Sequence, residues 1–111
     1  MKPLTEKQMH SAVIDHWRKL GSPHTKVATI PNARAFGQPG LTKGLPDLMV
    51  IAPGLPIGLL ELKTAKGRLS PDQRHILSLC EFAGAPSAVA YTLDEAIDIL
   101  KRWGAVRPTN R

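Results

Sequence analysis

The chain has a single cysteine, Cys80, so no internal disulfide can form and no thiolate zinc cluster can be built. Cys80 falls in Ile76-Leu77-Ser78-Leu79-Cys80, a stretch of helical character, where a buried and inert thiol is expected. A reactive thiol would need an electropositive, partly exposed setting. No apolar run approaches the roughly 20 residues that cross a bilayer, and the N-terminus has no signal-peptide pattern. Both absences point to a cytoplasmic location with no membrane partner. His10, His16, His24 and His75 show none of the short paired spacings of zinc ligands. There is no glycine-rich phosphate loop and no nucleophile elbow, which leaves ATP-driven and serine-hydrolase chemistries without support. Acidic residues are also few, nine against fifteen basic, for a formal charge of +6. That balance suits a polyanionic partner without identifying one. The basic residues are spread along the chain, so no run of them reads as a disordered arm.

What is present fits one α/β domain spanning residues 1–111, with its core at about 5–104. Thr5 and Gln8 form a capping box, and Gly21 closes a first helix whose Met9, Val13, Trp17 and Leu20 make one buried stripe. A strand over Lys26 to Ile30 ends at Pro31. Residues 31 to 46 hold Pro31, Gly37, Pro39, Gly40, Gly44 and Pro46, a composition that predicts an irregular loop. A loop of this length is either functional or a plain connection. Lys43 and Arg34 make it a candidate substrate-contacting segment. The apolar runs Asp47 to Ala52 and Ile57 to Thr64 flank Pro53-Gly54-Leu55-Pro56 and predict a hairpin. Their near-continuous apolarity predicts cover on both faces. Ser70, Pro71 and Gln73 open a second helix that runs to Gly84. Ser87 to Tyr91 is a further strand. Thr92 and Glu95 form a third capping box, for a last helix with Ile97, Leu100 and Trp103 on its stripe and Gly104 at its end. Arg107 to Arg111 reads as a frayed tail. The order is helix, three strands, helix, strand, helix.

The chemistry rests on Pro46-Asp47 and, after thirteen intervening residues, Glu61-Leu62-Lys63. Side chains alternate along a strand, so Glu61 and Lys63 share a face. A turn near Gly54-Leu55 would set Asp47 opposite Leu62, one position from each of them and within roughly 5 to 8 Å. Two carboxylates and the Leu62 carbonyl, completed by water, suit Mg²⁺ or Mn²⁺, and Lys63 would orient a water and neutralise charge on a phosphate. Lys63 would serve as a general base only with a substantially lowered pKa. The bland alternative is a solvated Glu61–Lys63 pair on an edge strand with Asp47 in a turn. Against it, charges set among Ile57, Leu59, Leu60 and Leu62 are costly unless something satisfies them.

Gly44-Leu45-Pro46-Asp47-Leu48, Leu60-Glu61-Leu62-Lys63, Gly67-Arg68-Leu69-Ser70 with Gln73, and Gly84 together resemble the PD-(D/E)xK superfamily. Within it they are most similar to the virus-type replication-repair nuclease (VRR-NUC) domain, from about Glu6 to Val89. The resemblance implies a restriction-endonuclease-like α/β fold, a mixed central sheet flanked by helices in the order α-β-β-β-α-β-α. It also implies a divalent-metal-dependent DNA endonuclease, with Asp47, Glu61 and Lys63 as the catalytic set. Stand-alone members are associated with phages and bacteria, with homodimers, and with branched DNA such as Holliday junctions. The expected location is then a bacterial cell or a phage-infected host. Glu6 resembles an acidic residue that members place near the metal, although an acid in a helix's first turn is favourable in any case. Gln73 matches a glutamine expected to reach the lysine or water, yet it is also the partner of Ser70 in the capping box. His10 stands where relatives more often carry glutamine. Lys66 and Arg68 are candidate phosphate contacts or ordinary solvated charges. A non-cleaving nucleic-acid-binding module and a sequence-specific restriction-type nuclease are the alternatives.

Overall fold

The computed structural model describes residues 3–31, 40 and 42–108. Its elements run α1 (Glu6–Leu20), β1 (Lys26–Thr29), β2 (Leu48–Ala52), β3 (Leu55–Leu62), α2 (Pro71–Ala83), β4 (Ser87–Ala90) and α3 (Leu93–Arg102). This is the order expected from the sequence. The four strands form one mixed sheet in the order β1-β2-β3-β4. Both β1–β2 and β2–β3 are antiparallel, and β3–β4 is parallel. A parallel pair needs a crossover connection, which α2 supplies.

The helix ends follow from their caps. Thr5 and Gln8, and likewise Ser70 and Gln73, exchange side-chain and backbone hydrogen bonds reciprocally. Each box is worth on the order of 1 kcal/mol to its helix. The third box forms only in half. Thr92 accepts from the Glu95 amide, but the Glu95 carboxylate takes the Tyr91 N–H, one residue earlier. The stripe of α3 is also displaced: Ala96, Ile99 and Leu100 are its buried residues, while Ile97 is half-buried. On α1, Met9 and Val13 are buried and Trp17 packs at the margin, whereas Leu20 is exposed.

One face of the sheet carries the core. Val27, Leu48, Val50, Leu60, Leu62 and Ala90 meet Met9 and Val13 of α1 and Ala96, Ile99 and Leu100 of α3. Ala105 and Val106 complete it, and Arg107, the first residue of the expected frayed tail, is pinned by its amide hydrogen bond to the Leu20 carbonyl; residues 109–111 lie outside the described residues. Gly58 of β3 is required by close approach. A Cβ there would lie 2.8 Å from the Trp103 ring, which with Leu55 closes over the strand.

The other face departs from the expected cover on both sides. α2 lies along β4, and Leu69, Leu77 and Ser78 line a cleft with Ser87 and Val89. Its contact with the sheet stays at that edge. Ile51 and Ile57 remain 39% and 46% exposed, and Leu79 and Phe82 of α2 point to solvent at 50% and 89%. Cys80 is the buried residue of α2, as a free thiol.

Candidate active site

The hairpin β2–β3 positions the chemistry, and a bulge decides how. Its corner is Pro53–Gly54, tighter than the expected four-residue connection, with Ala52 paired to Leu55. Beyond it, Val50 pairs with Gly58, Met49 with Leu59 and Leu48 with Leu60, so the register slips by one residue between Val50 and Ala52. Continuing one step sets Asp47 opposite Glu61, where the sequence had predicted Leu62. A one-residue slip exchanges the faces of a strand. In the expected register Asp47 would have paired with core-facing Leu62; in the observed one it shares a face with Glu61.

Asp47 is fixed by two backbone groups. Its carbonyl accepts the Ile30 amide at 2.8 Å, and its Oδ2 accepts the Leu62 amide at 2.8 Å. The carboxylate therefore stands between β1 and β3, where a hydrogen bond to a charged acceptor is short and strong. The segment leading into Asp47 is held equally closely. Gly44 has φ +89°, and a Cβ there would come within 2.5 Å of the Asp72 backbone in the first turn of α2. Only glycine permits that path.

Glu61 is 2% exposed and Lys63 9% exposed. One Glu61 oxygen, Oε2, is buried without a hydrogen-bond partner. The Glu61 carboxyl is pushed up to about 9 from its ordinary value near 4.5. Burial contributes most, followed by a hydrogen bond with Asp47 and repulsion from the Asp47 charge. Lys63 pulls the other way, and the charge of Glu6 adds to the rise. A cleft of about 440 Å³ opens beside these groups, lined by Glu6, Lys7, His10, Ser11, Asp47 and Leu62.

The fold thus brings Asp47, Glu61 and Lys63 together, and of these three it is Asp47 that shares the cleft with Glu6. Among the described residues no three His, Cys, Asp or Glu side chains close into a metal-holding group, so Glu6 stays outside the Asp47–Glu61 pair. The remaining donor is the Leu62 carbonyl, which leaves the strand toward the same edge as the Leu62 amide bonded to Asp47. Gln73 spends its side-chain oxygen on the Ser70 amide, and no hydrogen bond joins it to Lys63. His10 reaches across to Thr29 at 2.8 Å, tying α1 to β1 at the rim of the cleft. Lys43, Lys66 and Arg68 are exposed around this end of the sheet; Arg34 lies outside the described residues. Sequence reasoning missed the Asp47–Leu62 bond, the depth of Glu61, and the approach of Arg74 and Tyr91 to Arg68. Pro56, which cannot donate within a central strand, was an available signal for the bulge.

Comparison with known proteins agrees with this fold. A solved VRR-NUC domain protein matches with a TM-score of 0.79 at 20% identity, covering 97% of this chain and 100% of its own. A second solved VRR-NUC domain matches at 0.66 and 19% identity, covering 89% and 97%. These likenesses speak to the fold. No curated protein shows similarity to the chain. The model of the VRR-NUC domain family matches residues 19–93, a span that takes in Asp47, Glu61, Lys63 and the Gly67–Gln73 segment. With that match covering most of its length, the chain belongs to the VRR-NUC family of nuclease domains.

Proposed function

We propose that this nuclease domain is a divalent-metal-dependent DNA endonuclease, using Mg²⁺ or Mn²⁺ and acting on branched DNA such as a Holliday junction. The observation that carries the reading is the buried, unpartnered Oε2 of Glu61 beside the Asp47 carboxylate. Two facing carboxylates repel each other, and a buried carboxylate with one oxygen left unpartnered costs on the order of several kcal/mol when charged. A dication between them removes both penalties, so the residues fit the ion. Asp47, Glu61 and the Leu62 carbonyl would hold it, with the remaining positions left to water, as Mg²⁺ favours. When bound, the ion supplies Lewis-acid polarisation of the phosphodiester and acidifies water.

The chain's own residues supply the rest. Asp47 cannot swing away, because the Leu62 amide holds its carboxylate. Glu61 is kept in place by its burial, at 2% exposure. Lys63, next but one on the same strand face, brings a cation to the place where negative charge grows on the phosphate. Glu6 adds a carboxylate at the mouth of the cleft, and Gln73 fixes the first turn of α2 against Gly44.

Branched DNA and a homodimer belong to the same proposal. A domain of 111 residues offers limited contact area, whereas specific DNA interfaces bury about 1,000 to 2,500 Å² of protein. A two-fold dimer would place two sites on two strands. Leu55 and Trp103 are spent on packing over Gly58, so the exposed apolar residues Ile51, Ile57, Leu79 and Phe82 are the surface for such an association.

The test compares wild type with Lys63→Ala on labelled duplex, flap and four-way-junction DNA, in Mg²⁺, Mn²⁺ or EDTA. Metal-dependent cutting of branched substrates, lost in the folded variant, supports the proposal. Discrete fragments from linear duplex would favour a restriction-type enzyme. A folded wild type that binds DNA but cuts nothing under any condition leaves a binding module.

A further inference from the structure

A second recess lies on the far side of Lys63. The loop after β3 and the start of α2 border, with the end of β4, an open recess of about 310 Å³ lined by Gly67, Arg68, Leu69, Arg74 and Tyr91. Arg74 sits one turn into α2, its amide bonded to the Ser70 carbonyl. Tyr91 follows β4 directly, and its amide is held by the Glu95 carboxylate at 2.9 Å. Among the described residues no carboxylate forms an ion pair with either guanidinium. Two cations and a phenol ring thus face one hollow without partners of their own.

The position of this hollow ties it to the catalytic lysine. The Lys63 amide donates to the Ala90 carbonyl at 2.9 Å, which sets Lys63 and Tyr91 side by side at the ends of parallel strands. Gly67 forms the partition: a Cβ there would lie 3.3 Å from Lys63 Cδ, while the same residue lines the cavity. A nucleic-acid strand with its scissile phosphate at Lys63 would carry its next nucleotide over Gly67 into the recess.

We infer that this cavity is a nucleotide subsite, in which Arg68 and Arg74 hold a phosphate flanking the scissile bond while Tyr91 stacks an unpaired base. Guanidinium groups present a fork of donors matched to phosphate oxygens. An aromatic side chain stacks on any base, but only on one that has left the duplex stack. The inference rests on the nuclease reading and narrows it. The substrate has a single-stranded nucleotide next to the cleaved bond, as at a flap, a fork or a branch point.

The test measures affinity by fluorescence anisotropy, with Ca²⁺ in place of Mg²⁺, for two DNA hairpins of the same duplex. One is blunt and the other carries an oligothymidylate tail. Tyr91→Ala should weaken binding of the tailed hairpin about tenfold, the scale of one lost base–aromatic stack, and leave the blunt one unchanged. Tyr91→Phe should keep wild-type affinity for both. Arg74→Ala should lower the slope of log affinity against log salt by about one. An equal loss on both hairpins, or no loss from Tyr91→Ala, overturns the subsite. If wild type still cuts in Mg²⁺, the nuclease reading survives that outcome. If the tail-specific loss appears in a protein that never cuts, the subsite stands and the nuclease reading falls.

Discussion

The two ends of β3 obey opposite rules on the same face of the sheet. Ile57, near the hairpin corner, is 46% exposed, whereas Glu61, four residues on, is 2% exposed. An apolar side chain in water is common, but an ionisable one buried without a partner for Oε2 is rare. The difference comes from what converges at each end. Around Glu61 the strand meets Asp47, Glu6 on the first turn of α1, and the loop that brings Gly67 onto Lys63. Around Ile57 the strand is left half open, since α2 packs chiefly along β4. Stability is housed on the reverse face, where Leu60 and Leu62 are fully buried beneath α1 and α3. One strand therefore separates the core from the candidate site by alternation alone.

The strongest way to probe that separation is Leu60→Ala, which should cost about 2 to 5 kcal/mol in urea denaturation. The cleavage rate of the fraction still folded should stay near wild type. A large rate loss in well-folded protein would show that the two faces are not independent. Glu61→Gln should do the reverse. Cleavage should fall at least about a hundredfold, while the metal-free protein at pH 8 gains about 2 kcal/mol of stability from losing a carboxylate held above its ordinary range.

The same carboxyl predicts a pH dependence. The folded chain binds the Glu61 proton more tightly than the unfolded chain, with a value of about 9 against about 4.5. The penalty is absent below about 4.5, grows as pH rises, and is complete above about 9. Metal-free wild type should thus lose stability across that window, and Glu61→Gln should be flatter there. Adding Mg²⁺ should flatten the wild-type profile too; thermal melts at intervals of pH would show whether it does. The smallest effect belongs to the open end. Ile57→Asp should change monomer stability by only about 0.5 kcal/mol, yet convert a dimer to monomer in sedimentation velocity. A wild type that sediments as a monomer at every concentration removes the assembly role given to that face.

Much of this architecture is written locally. Thr5 with Gln8, Ser70 with Pro71 and Gln73, and the glycines at 21 and 84 mark helix ends because capping satisfies backbone groups within a few residues. The shared face of Glu61 and Lys63 follows from strand periodicity. The facing of Asp47 did not, because it depends on a bulge whose position is set by pairing across the whole hairpin. The continuous apolarity of β2 and β3 was misleading for a related reason. It marks residues able to be covered, and the reach of α2 determines which of them are. Arg68, Arg74 and Tyr91 meet only through the crossover, so no spacing in the sequence announces their cavity.

Asp47 has a consequence for how this protein can change over generations. Its carboxylate accepts the Leu62 amide while its carbonyl accepts that of Ile30, so one residue ties together the ends of three strands. If Asp47 holds the proposed metal, a substitution there would damage the candidate site and loosen the sheet in a single step, which leaves little room for neutral drift. The Leu62 amide proton is the natural reporter of that double duty. Its exchange with deuterium should quicken in Asp47→Ala well beyond that of amides deeper in β3.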